Sequence, residues 1–150
     1  MRTWCVLLTF VLASALAANA KKEETLEELK ARVDSATLEQ RVGLCLEIAE
    51  RQLDAADKLY TANNVDGGRA AVSDVITYSE KARDAAVESG KKLKQAEISV
   101  RKMAHKLRDI KGTLNFDDQA PVQDAVNHLE KVRTDLLTKM FNLGNKGNKQ

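Results

Sequence analysis

The sequence predicts an all-α fold, an antiparallel helical bundle with coiled-coil-like packing, and three observations carry that expectation. Apolar residues recur at steps of three and four through most of the chain, the spacing that lines one face of a 3.6-residue helix. Charged residues make up 31% and aromatic residues only 4%, which suits solvated helices with narrow apolar seams rather than a sheet. Proline occurs once, so helix breakers are scarce. With 150 residues the chain supplies one domain.

Residues 1–20 stand apart from that domain. Arg2 precedes an uncharged run from Trp4 to Ala18, and Ala18-Asn19-Ala20 then leads into Lys21-Lys22. A positive start, a short apolar core and small residues at an A-x-A site predict a secretory signal peptide, cleaved after Ala20. The run is shorter than the about 20 apolar residues a spanning helix needs, so no transmembrane segment is expected in the mature chain. The predicted location is secreted or periplasmic. Cleavage removes Arg2, one of 24 basic residues, and none of the 22 acidic ones, so the formal charge falls from +2 to +1. That is too small a charge to name a partner. Cys45 is then left without a second cysteine, and its register with Val42 and Ala49 marks it as a small core residue.

The elements follow in order. Leu26, Leu29 and Val33 predict a short N-terminal helix, and the five-residue step from Val33 to Leu38 predicts a bend in which Ser35 or Thr37 acts as an N-cap. Leu38, Val42, Cys45, Leu46, Ala49, Leu53, Ala56, Leu59 and Tyr60 form the stripe of a helix over residues 38–62. Asn63-Asn64 tolerates the left-handed conformation, and Asp66 is the expected N-cap of a helix that folds back antiparallel.

The third helix, residues 66–114, carries the clearest pattern. Val72, Val75, Ser79, Ala82, Ala86, Ser89, Leu93, Ala96, Val100, Met103, Leu107, Ile110 and Leu114 alternate steps of three and four without a slip. A strict seven-residue repeat implies packing against a partner helix, and its small middle lets that helix come close. Because the register passes through Gly90 unbroken, the expectation is one continuous helix of roughly 70 Å. A break at Gly90 would instead close the same segments into a compact bundle. Gly112 to Asp118 makes the next turn, Asp117 or Asp118 caps a last helix over residues 118–142, and Pro121 falls in its first turn. The expected single domain is residues 21–142, with a disordered tail at 143–150.

Nothing in this chain matches a catalytic motif. There is no C-x-x-C, H-E-x-x-H, G-x-S-x-G or Gly-rich phosphate loop, and neither His105 nor His128 follows a Glu by three as in di-metal bundles. Both histidines read as surface residues. No enzyme activity, cofactor or metal is expected. Ala56, Tyr60 and Ala71 give the second-to-third helix hairpin a loose likeness to a tetratricopeptide repeat, which it resembles over under a third of the chain. Asp57 replaces a small residue, the closing proline is missing and nothing recurs at 34 residues, so no binding residues carry over.

One charge feature remains. Residues 91–111 hold eight basic side chains against Glu97 and Asp109, and at 100° per residue Lys91, Lys94, Arg101, Lys102 and Arg108 lie opposite the seam. These five are the candidate docking residues for an anionic partner, although such a face also serves as a solvated surface balanced by acidic neighbours. Stacking aromatics are absent from the stripe, and with the export signal this argues against nucleic acid. The functional expectation is an exported, non-enzymatic protein-interaction or structural module that binds a protein partner or itself. The alternative is a peripheral binder of anionic lipid or envelope polymer through the basic stripe.

Overall fold

The computed structural model describes residues 24–147, and the expected signal peptide lies outside the described residues. Those residues form five helices: α1 (Leu26–Ser35), α2 (Leu38–Thr61), α3 (Val65–Ser89), α4 (Leu93–Thr113) and α5 (Phe116–Gly147). The all-α class is as the periodicity predicts. The count is not, because the expected third helix is two.

Local chemistry sets each boundary. Thr25 and Glu28 make a reciprocal capping box at α1, and the hydrogen bond from the Thr25 N–H holds the Glu28 carboxyl below its usual pKa. Thr37, one of the two expected caps, forms a second box with Gln40. The Arg41 guanidinium then closes the corner between α1 and α2 by donating to the carbonyls of Val33 (3.1 Å), which also accepts from the Ala36 N–H, and Ala36 (3.3 Å) at the end of α1. At the next turn Asn63 takes the left-handed conformation (φ 60°). Asn64, rather than Asp66, is the cap, and its Oδ1 accepts from the Gly67 N–H at 3.0 Å. One turn on, Gly68 packs under the Tyr60 ring so closely that a Cβ there would lie 2.8 Å from it. Glycine is what lets α2 and α3 meet at this level.

The expected continuous helix over residues 66–114 ends at Ser89. Gly90 sits at φ 66° in the left-handed region and Lys92 follows at φ 56°, so the chain reverses within three residues. The Ser89 hydroxyl supports the break by donating to the Ala85 carbonyl (2.7 Å) and accepting from the Lys91 N–H (3.2 Å). The seven-residue register survives because both helices face the same core. Among its thirteen residues only Ser89 and Leu114 are not buried. A single long helix would leave half its seam uncovered, whereas the break lets α3 and α4 share one interior.

Two antiparallel hairpins, α2/α3 and α4/α5, lie side by side. Arg69–Asp118 (2.9 Å) and Arg83–Asp135 (3.1 Å) show α3 and α5 running parallel. Lys106–Asp57 (2.6 Å), together with Lys92 over Gly43, gives the same relation for α4 and α2. Their shared core includes Val42, Ile48, Val75, Val100, Leu107, Val122, Leu129 and Leu136, and α1 covers one side with Leu29 and Val33. Cys45 is fully buried, as its register implied, and burial pushes its thiol up to about 11.

The last helix begins at Phe116, two residues before the expected start, and continues to Gly147, five past the expected end at 142 and into the stretch expected to be a disordered tail. Pro121 therefore falls in the second turn of α5 rather than the first. Among the described residues no helix is long and apolar enough to cross a membrane.

Candidate docking surface

The 91–111 cluster is carried almost whole on α4, whose buried face (Leu93, Ala96, Val100, Met103, Leu107, Ile110) turns the opposite face outward. All five candidate residues, Lys91, Lys94, Arg101, Lys102 and Arg108, are exposed, but the structure divides them by what they touch. Arg108 is ion-paired with Glu130 on α5. Arg101 lies 3.5 Å from Glu97, a carboxylate that is 8% exposed and also accepts from Arg133 at 2.8 Å. A carboxylate taken this far from water needs partners of that kind, and it gains two. Lys91, Lys94 and Lys102 have no ion pair among the described residues.

The remaining basic residues of the cluster lean towards α2 and α5. Lys106 bonds Asp57, which raises its pKa above the ordinary lysine value. Lys111 donates to Gln123 (2.6 Å) on α5. Lys92 leans across α2 and helps line a cleft of about 460 Å³ with Arg32, Gln40 and Glu47. Part of the stripe is thus neutralised by acidic neighbours within the bundle, and part is not.

Register between α4 and α5 decides what borders the unpaired lysines. Lys111–Gln123, Arg108–Glu130 and Glu97–Arg133 are successive rungs of an antiparallel pair, and Leu143 approaches Gly90 at its end. Continuing those rungs places Phe141 level with Leu93 and Lys94, and Leu143 level with Lys91. Glu130, Leu137 and Phe141, at steps of seven and four, share one face of α5, which the Arg108–Glu130 pair sets along α4. Along this ridge the helical line that carries Glu130 beside Arg108 carries Phe141 near the level of Lys94. Phe141 is 70% exposed and Leu143 42%.

Sequence reasoning passed over both residues. It stopped the last stripe at Met140 and placed Leu143 in the tail. The legible signal was Phe141 four residues after Leu137 on one helical line, in a chain with only three phenylalanines.

The histidines are exposed, His105 beside Asp109 (3.2 Å) and His128 beside Glu80 (3.8 Å). Among the described residues no group of three His, Cys, Asp or Glu side chains is placed to hold a metal ion. Comparisons with protein-family models, with curated proteins and with solved structures gave no match.

Proposed function

We propose that this chain is an exported, non-enzymatic helical module that works by binding, and that its working surface is the outer face of α4. The observation that carries this reading is that Lys91, Lys94 and Lys102 are exposed and, among the described residues, without acidic partners, beside neighbours that are paired. Cations held apart from any counter-charge are free to meet an anionic partner, whereas paired ones would first have to be separated. The small-residue seam that suggested a partner protein is filled by the chain's own helices, with Ser79, Ala82 and Ala86 all at 0% exposure. The outer face of α4 is what remains available.

Retention on a soluble polyanion such as immobilised heparin, eluted with salt, tests the reading. Replacing Lys91, Lys94 and Lys102 together with Glu should move elution to the lowest salt while far-UV circular dichroism stays unchanged, because electrostatic attachment is screened within about 10 Å at 0.1 M salt. A folded triple variant that elutes with the wild type would end the proposal.

A further inference from the structure

The geometry points to the end of the bundle where α5 finishes and α4 begins as a docking tip for an anionic lipid bilayer surface, an inference that rests on the α4 reading and names its partner. Three features converge there. Phe141 and Leu143 are large apolar side chains left in water on opposite sides of the last turns of α5, and Leu143 lies beside the left-handed turn at Gly90. Lys91 in the turn before α4 and Lys94 in its first turn stand at the same level, exposed and without an ion pair among the described residues. Further along the same ridge the pattern stops, because Arg108 has Glu130 opposite it and Arg133 has Glu97. The opposite end of the ridge also exposes an apolar side chain, Phe116, but there the acidic pair Asp117 and Asp118 follows it in the first turn of α5.

That combination selects its occupant. A shallow insertion into the headgroup region needs apolar side chains flanked by lysines, whose stems reach along the chains while their ammonium groups stay with the phosphates. Neither element suffices alone, since stable attachment takes an apolar anchor together with a basic patch. A second copy of this chain is disfavoured as occupant, because meeting tip to tip would bring Lys91 and Lys94 of both copies together. The tip also lies at a helix terminus, so insertion does not require any core side chain to move.

Co-sedimentation with vesicles tests this, using protein that begins at residue 21 and so retains every core side chain described. Wild type should bind vesicles of phosphatidylcholine with about 30 mol% phosphatidylglycerol and not those of phosphatidylcholine alone, with binding lost as salt rises. Phe141→Gln with Leu143→Gln should weaken that binding about tenfold or more while leaving heparin elution unchanged. Lys91→Gln with Lys94→Gln should weaken both, by about fivefold for each lysine on vesicles. If the Phe141/Leu143 variant binds anionic vesicles like the wild type, the tip is overturned and the α4 reading stands. If wild type is retained on heparin but ignores the vesicles, the tip again fails alone. Retention on neither overturns both. Sedimentation equilibrium covers the remaining occupant, because a wild-type dimer dissolved by the Phe141/Leu143 variant would replace the lipid surface with a second copy.

Discussion

The turn at Gly90 can be weighed in free energy. A non-glycine residue held in the left-handed region costs about 1–2 kcal/mol. The same substitution restrains the unfolded chain and returns about 0.4–1 kcal/mol. A Cβ at Gly90 would find Leu143 Cδ1 at 3.9 Å, an ordinary contact, so sterics beyond the backbone add nothing. Gly90→Ala should therefore destabilise by up to about 1.6 kcal/mol, a drop of up to roughly 6 °C in Tm for a domain of this size. In a continuous helix the sign reverses, with alanine stabilising by about 0.5–1 kcal/mol. Lys92, also left-handed, supplies the converse: Lys92→Gly should leave stability unchanged or raise it by up to about 1 kcal/mol. Urea denaturation followed at 222 nm reads both variants. A raised midpoint for Gly90→Ala would refute the turn and restore the roughly 70 Å helix, which small-angle scattering would register as a radius of gyration above about 20 Å.

Three further outcomes follow from the core. Gly68→Ala should destabilise by about 1–3 kcal/mol, because its Cβ would overlap a buried Tyr60 ring, and a near-neutral melt would show that α2 and α3 are less closely packed at this level. Ser79 is wholly buried and its hydroxyl lacks a partner among the described residues, so Ser79→Ala should raise stability by about 1 kcal/mol in the same titration, and a loss would reveal a hydrogen bond. Cys45 has a folded pKa of about 11 against an ordinary 9.0, so it favours the folded state fully below pH 9 and loses that contribution as pH climbs towards 11. Relative to Cys45→Ala, wild type should lose about 2 kcal/mol between pH 7 and 10.5, and a pH-independent difference would contradict the burial of the thiol.

Much of the fold was written in periodicity. The stripes of α1, α2 and α5 and both halves of the long seam are buried as their spacing implies, since burial of apolar area dominates over everything else along these segments. The break at Gly90 was not legible from the same pattern. Periodicity reports which face a residue occupies, and Ser89 and Leu93 occupy core-facing positions whether the chain between them continues or turns back. The competing signal was local: a serine, a glycine and two lysines, a poor helix interior and a good left-handed cap. The candidate surface was legible in composition and illegible in detail. Counting 100° per residue put Lys94, Arg101 and Arg108 on one line, but only the placement of α5 shows that Arg108 meets Glu130 while Lys94 has no ion pair among the described residues. Glu97, which the sequence counts among the stripe's acids, lies 8% exposed between two arginines for the same reason.

The brevity of the turns has a kinetic consequence. Only residues 62–64 separate α2 from α3 and only 114–115 separate α4 from α5, so each hairpin is assembled from contacts close in sequence. Little loop-closure entropy opposes either one, and chains of such low contact order fold in microseconds to milliseconds. The two hairpins should behave as separate cooperative units in native-state hydrogen exchange, joined by docking of α3 against α5. Amides around Ser89 to Lys92, where the units are tied together by three residues in left-handed and turn conformations, should then exchange through openings that leave both hairpins intact.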